Sequence, residues 1–240
     1  MDKKLWLPES GLITRRKFIA GTGAIGCAAA TGGIAAAFYQ EPGRLAEVLE
    51  TPHVTEGPFY PDKLPLDTDN DLLIVNDSIS LAVGEITHLS GRILNGKGNP
   101  IRNARVEIWQ VDNQGIYIHS RGGDREKLDK NFQGFGRFIT GIDGRYYFRT
   151  IKPVTYPRRT PHIHLAVFIN NKRLLTTQIL IKGNKQNDRD GLFRRIGNKK
   201  QQEMILVDFK PLEGSKIGEL TANFDVILNR TPNELQMKKG

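Results

Sequence analysis

The stretch HIHLAVFINNKRLLTTQILI (His162–Ile181) contains two runs, His162–Ile169 and Leu174–Ile181, dense in Val, Ile, Leu, Phe and Thr and parted by Asn170-Asn171. β-branched and aromatic residues bounded by turn formers signal strands, and a pair of asparagines tolerates the left-handed backbone of a tight hairpin turn. The same signals recur at Thr87–Leu94, Arg105–Val111, Tyr146–Ile151, Glu203–Phe209 and Ala222–Leu228, punctuated by Asn95-Gly96, Gly98-Asn99-Pro100 and Asp143-Gly144. Between these runs no apolar helical period lasts beyond a turn or two. Short strands at this spacing predict an all-β fold, a β-sandwich. Two long irregular regions, Glu41–Asp77 and Asn113–Arg137, interrupt it. Loops of that length in a compact domain are usually where function is mounted.

The chain has 240 residues, of which 38% are apolar and 25% charged. That length buries a core without covalent staples, and the composition excludes a collagen, a polytopic membrane protein and a wholly disordered chain. The one cysteine, Cys27, lies near the N-terminus, so everything beyond it lacks disulfides, thiolate ligands and a cysteine nucleophile. No Gly-x-Ser-x-Gly occurs, which sets a serine hydrolase aside. The net charge is +9, and residues 1–37 hold five basic and two acidic side chains, leaving +6 for the remainder. Those positives are scattered and not interleaved with aromatics, so they read as a solvated surface with no platform for nucleic acid.

Residues 1–37 read as an export signal. A polar start leads to TRRKFI (Thr14–Ile19), then a Gly/Ala-rich apolar run ending in Ala35-Ala36-Ala37. The paired arginines resemble a twin-arginine signal, which implies passage of the folded chain through the twin-arginine export machinery. Glycines 21, 23, 26, 32 and 33 weaken the run as a permanent span, favouring cleavage near Ala37. Lipid anchoring through Cys27, within Ala24-Ile25-Gly26-Cys27, is the weaker alternative. The remaining chain divides into an arm and loop region packing on the core, 38–83, and the sandwich domain, 84–240.

Chemistry concentrates in YPRRTPHIH (Tyr156–His164). On a strand, residues two apart share a face, so His162 and His164 project side by side while Ile163, Leu165 and Val167 face the other way. Such a pair suits a metal, although a bare His-x-His more often describes two ordinary strand histidines. The only other histidines are His53, His88 and His119, and no Asp or Glu lies between Asp143 and Asp188. Tyrosine is what stands near: Tyr156 six residues upstream, and Tyr117 in the long loop after Trp109. Two phenolates with two imidazoles form a hard, anionic set matched to Fe(III). Each tyrosine taken alone also reads as a buried aromatic with a hydrogen-bonded hydroxyl.

TEGPFY (Thr55–Tyr60), GNPIRNARVEIWQVDNQGIY (Gly98–Tyr117), NFQGFGRFITGIDGRYYFRTIKP (Asn131–Pro153), YPRRTPHIH and LLTTQI (Leu174–Ile179) together resemble the intradiol ring-cleavage dioxygenases of the protocatechuate 3,4-dioxygenase type. The resemblance implies a β-sandwich whose long loops house a non-haem Fe(III), with Tyr117, Tyr156, His162 and His164 as ligands. It implies a catechol-type substrate, cleaved by O2 between the two hydroxyl-bearing carbons with both oxygen atoms incorporated. Tyr156 matches the phenolate that dissociates and accepts a substrate proton. Arg159 matches the active-site arginine that stabilises negative charge on the ring, and Gln178 the active-site glutamine. The family is frequently oligomeric. One position departs: the residue after Tyr-Pro, aromatic in the protocatechuate enzyme, is Arg158, which leaves the ring substrate open.

Around this set, Phe59 and Tyr60 are expected to line an aromatic pocket or to pack the arm. Trp109 is expected in sheet packing, and His119 as a solvated loop histidine or a support to the ligands. Arg158 or Arg121 is a candidate partner for a carboxylate on the ring. The rival from another class is an exported, non-catalytic β-sandwich module that binds a sugar, peptide or protein.

Overall fold

A computed structural model describes residues 49–76 and 80–229, all within one compact unit. The expected export signal and Cys27 lie outside the described residues. The first sheet gathers around a long strand, β1 (Ile86–Asn95). β4 (Arg145–Ile151) pairs antiparallel with β1 from Ile86↔Ile151 to Arg92↔Arg145. Two short strands, β9 (Leu220–Asn223) and β10 (Val226–Leu228), run parallel to β1 one after the other, and β8 (Lys210–Pro211) borders β9.

The second sheet has the order β3-β2-β5-β6-β7, formed by Phe135–Ile139, Arg105–Trp109, His162–Ile169, Lys172–Ile181 and Leu206–Val207. β5 and β6 form the expected hairpin, and Asn170 and Asn171 both take positive φ, 49° and 59°, in its two-residue turn. The core lies between the sheets, where Ile163, Leu165 and Val167 meet Leu89, Ile93, Phe148 and Val226. The sandwich is thus all-β, as the strand pattern predicts.

Three local readings are corrected. Phe135–Arg137, assigned to a loop, begins β3. Its small residue, Gly136, is required by close packing, because a side chain there would meet Leu72 and the Asp69 carbonyl. Glu203, assigned to a strand, belongs to α2 (Lys199–Met204), whose N-terminus is capped by the Asn198 side chain accepting from the Gln201 amide at 3.0 Å. The run Ala222–Leu228 is two strands, not one. At the break, the Phe224 amide donates to the Ser90 carbonyl at 2.8 Å, and the Phe224 carbonyl sits where a Cβ on Gly91 would be.

Residues 51–76 run along the sandwich and bond to it. The Thr51 amide donates to the Ile227 carbonyl and the Val54 amide to the Thr176 carbonyl, and Leu72 and Leu73 are fully buried. One turn-rich segment follows β6: a 3-10 turn at Asn187–Arg189, then α1 (Gly191–Arg194). Both segments matter because the first packs Phe59 on Tyr117 and the second holds Arg159 and Thr160 beside the β5 histidines.

Candidate metal centre

The outer face of the second sheet carries one row of paired residues: Gln178 on β6, His164 on β5, Trp109 on β2 and Phe135 on β3. Trp109 stacks flat on His164, with centroids 4.8 Å apart and planes 7° from parallel. Trp109 is therefore sheet packing, as expected, and its packing fixes the plane of one imidazole. His162 sits on the same face two residues earlier, so period-2 alternation brings both imidazoles to one spot.

Tyr117 reaches that spot from the loop after β2. The buried Asp112 carboxylate shapes the loop, its Oδ1 accepting from the Gln114 and Ile116 amides and its Oδ2 from the Asp129 amide. Beyond the tyrosine the backbone doubles back, with the Tyr117 amide donating to the Gly122 carbonyl at 3.0 Å. Any Cβ on Gly122 would lie 2.5–2.6 Å from the Tyr117 carbonyl oxygen and Cβ, so the turn demands glycine. Phe59 stacks on the Tyr117 ring at 5.0 Å.

Three donor atoms meet in the buried pocket. The Tyr117 hydroxyl lies 3.0 Å from His164 Nε2 and 3.4 Å from His162 Nε2, and the two Nε2 atoms are 3.1 Å apart. His162 Nδ1 is 2.7 Å from the Thr160 carbonyl, which only accepts, so its proton is on Nδ1 and its Nε2 lone pair points into the cluster. Tyr156, half-buried, completes the set, its ring 5.5 Å from those of both Tyr117 and His162.

Arg159 lies against all of this. Its Nη1 is 3.4 Å from the Tyr156 hydroxyl and 3.3 Å from His162 Nε2. Its Nη2 donates to Gln178 Oε1 at 2.6 Å and its Nε to Asp190 Oδ2 at 2.8 Å.

The electrostatics follow from burial. Removal from water, with the neighbouring Arg159 cation, pushes His162 down to about 3; burial, then His162 and Arg159, push His164 well below the usual imidazole value. Burial, with Tyr156 beside it, raises the Tyr117 phenol well above 10. Without a bound cation the pocket thus holds neutral imidazoles and a protonated Tyr117.

The donors fit a single ion. Two atoms each about 2.1 Å from one centre stand about 3.0 Å apart at a right angle and about 3.4 Å apart at the tetrahedral angle. The observed separations span that range. Among the described residues no group of three or more His, Cys, Asp or Glu side chains is arranged to hold a metal, so phenolic oxygen is what distinguishes this cluster. Phenolate with imidazole favours a hard, highly charged ion such as Fe(III).

The other expected residues fall as follows. Phe59 lies against Tyr117 and edge-on to Tyr156, beside the cluster, whereas the Tyr60 hydroxyl is tied to Glu107 Oε2 at 2.9 Å under Trp109. His119 is not solvated: it is buried, its Nδ1 accepting from the Arg121 amide at 3.0 Å, with its ring edge-on to Phe59. Arg121 and Arg158 are exposed, and Arg158 takes a positive φ of 70°. His53 and His88 stand apart from the cluster; His88 bonds Tyr147 and Glu219 on the other sheet. The residues missed by the sequence reading are Thr160, Asn187 and Asp190, which brace the cluster from behind. An Asp directly before the Gly-Leu-Phe of α1 is a helix-start signal, and it was the one available pointer to Asp190.

The all-β sandwich, with buried Tyr117, His162 and His164, half-buried Tyr156 and flanking Arg159 and Gln178, belongs with ring-cleaving dioxygenases by its comparisons. The family model described as Dioxygenase matches residues 55–229, and the chain belongs to the intradiol dioxygenase family. It is 34% identical over 183 residues to the protocatechuate 3,4-dioxygenase beta chain of Burkholderia cepacia, covering 71% of this chain and 76% of that one. It is 28% identical over 156 residues to hydroxyquinol 1,2-dioxygenase of Nocardioides simplex; the match covers 57% of this chain and spans about half, 49%, of that relative. Among solved structures, the dioxygenase domain of a dioxygenase–carbohydrate-binding protein fusion from Streptomyces sp. SirexAA-E superposes with a TM-score of 0.58 at 27% identity, covering 76% of this chain and 99% of that one.

The histidine shifts predict a pH response. Both imidazoles titrate lower in the folded chain than in the unfolded one, so between the ordinary value near 6.5 and the folded value of about 3 the unfolded state binds more protons. Metal-free protein is therefore expected to lose stability as pH falls through this window. Urea midpoints between pH 7 and pH 4 measure it. Replacing both His162 and His164 by Gln flattens that part of the curve.

Proposed function

We propose that the protein is a non-haem Fe(III)-dependent intradiol dioxygenase of catechol-type rings, with Tyr117, Tyr156, His162 and His164 holding the iron. The supporting observation is the convergence of a buried phenol oxygen and two imidazole Nε2 atoms at 3.0–3.4 Å from one another. Bound there, Fe(III) supplies Lewis acidity that lowers the cost of ionising both hydroxyls of a catechol. The protein's own groups handle the protons and the charge.

Tyr156 is the half-buried phenol of the set and the one that Arg159 touches. By its place at the edge of the cluster the Tyr156 oxygen is suited to accept one substrate proton within hydrogen-bond reach. The Arg159 guanidinium stabilises negative charge as it builds on the ring. Gln178 has both ends of its amide engaged, Oε1 by Arg159 and Nε2 by the Thr55 carbonyl at 3.1 Å. Nε2 also lies 3.5 Å from His164 Nδ1, so Gln178 links the guanidinium to the ligand imidazole and holds Arg159 in place. Phe59, the Tyr117 ring and Trp109 keep water from the imidazoles. A non-catalytic module leaves this costly concentration of buried polar atoms without a reason.

Oxygen uptake with product analysis tests the assignment. Iron-loaded protein consumes one O2 per catechol and yields a muconate-type dicarboxylate carrying both oxygen atoms, as shown by mass after 18-oxygen labelling. Arg159→Ala is expected to lower kcat by about 10²-fold, the scale for losing one group that stabilises developing charge. No ring opening with a panel of protocatechuate, catechol and hydroxyquinol contradicts the proposal.

The signature TRRKFI (Thr14–Ile19) supports export of the folded chain to the periplasm or beyond through the twin-arginine machinery. Exchanging Arg15 and Arg16 for lysine should leave the protein in the cytoplasm with its segment uncleaved. Unchanged export of that variant argues against the twin-arginine route.

A further inference from the structure

Asp190 is the most deeply embedded carboxylate behind the cluster, its side chain 0% exposed. Its two oxygens have separate duties. Oδ1 accepts from the Leu192 and Phe193 amides at 2.8 and 3.1 Å and so caps α1. Oδ2 accepts from Arg159 Nε at 2.8 Å and from the Thr160 amide at 3.0 Å. A helix of four residues gives a buried charge little reason to be there, because capping one turn returns less than burying a carboxylate costs. The partner that offsets the burial is Arg159.

Every nitrogen of that guanidinium is accounted for. Nε is held by Asp190 and Nη2 by Gln178, which leaves Nη1 as the one directed at Tyr156 and His162. Two anchors, one on Nε and one on Nη2, fix the orientation of the fork, and neither is one of the four donor side chains. Thr160, bonded through its amide to the same Asp190 oxygen, offers its carbonyl to His162 Nδ1, while its hydroxyl donates to Asn187 at 2.6 Å. The 187–194 segment therefore braces the arginine and one histidine from a single side.

We propose that Asp190 is a positioning residue for ring cleavage, clamping Arg159 so that Nη1 alone faces the site where negative charge develops on the substrate. This rests on the functional reading of the site given above. The burial of Asp190 raises its carboxyl, but the Arg159 pair and the Thr160 and Phe193 amides outweigh that and hold it below the usual value. An uncharged amide in its place retains a cap acceptor for α1 but presents either a weaker acceptor or a competing donor to Arg159.

The test is Asp190→Asn, alone and combined with Arg159→Ala. In metal-free 15N-labelled wild type, the Arg159 Nε–H is expected to exchange with solvent at least about ten-fold more slowly than in a free arginine, and this protection is lost in Asp190→Asn. In iron-loaded enzyme, Asp190→Asn lowers kcat about 10²-fold, the scale of losing an aligned contact, with catechol KM changed less than about two-fold. In the Arg159→Ala background the same substitution costs under about two-fold, since it acts through the arginine.

Independent, multiplying effects of the two substitutions, or an unchanged kcat in Asp190→Asn, overturn the proposal while leaving the dioxygenase reading intact. A loaded wild type that opens no catechol overturns both. Should Asp190→Asn fail to fold, exchange in the wild type decides, because an unprotected Arg159 Nε–H overturns the clamp without any variant.

Discussion

Two uncharged imidazole nitrogens and a phenol oxygen, crowded to within 3.4 Å of each other and out of water, are the feature around which the rest of this structure is arranged. The imidazoles share at most one proton between their facing nitrogens, and the His162 nitrogen is held bare by the Thr160 carbonyl. Lone pairs gathered this way are costly in a low-dielectric pocket unless a cation answers them. Arg159 supplies part of the answer from one side, and on the function proposed above a ferric ion supplies the rest.

The sandwich makes that crowding affordable by separating its two jobs. On β5 the residues facing inward, Ile163, Leu165 and Val167, are all fully buried in the main core, so the strand is anchored whatever its other face carries. The outward face then bears His162 and His164, with Trp109 and Gln178 beside His164 in register. The arm packs Phe59 on Tyr117 and Tyr60 on Trp109, and the segment at 187–194 holds Thr160 through Asn187 and Asp190. No element of this cover is a long helix; it is loop and arm, held by specific hydrogen bonds.

Much of this was legible in the residues. Period-2 alternation placed both histidines on one face, and turn chemistry at Asn170-Asn171 gave the hairpin that sets Gln178 opposite His164. What alternation did not show was which side chains come from far along the chain. Tyr117 arrives through a loop whose shape depends on Asp112 and Gly122, and neither spacing nor propensity encodes that turn. The motif resemblance carried Tyr117 and Tyr156 to their places instead. β3 was hidden because Gly136 and Arg137 break the apolar pattern. Their reason for being there is tertiary: Leu72 covers the glycine and Glu107 pairs with the arginine. His119 read as solvated because a loop histidine followed by Ser120 and Arg121 usually is, yet Phe59 packs edge-on against it.

Metal titration followed by visible absorption bears most directly on the ion at the centre of this account. One equivalent of Fe(III) should bind per chain and give a broad phenolate-to-iron band that colours the protein red, with Tyr117→Phe shifting and weakening that band. Failure to take up iron stoichiometrically, or a colour unaltered in Tyr117→Phe, would contradict the assignment of these side chains as its ligands.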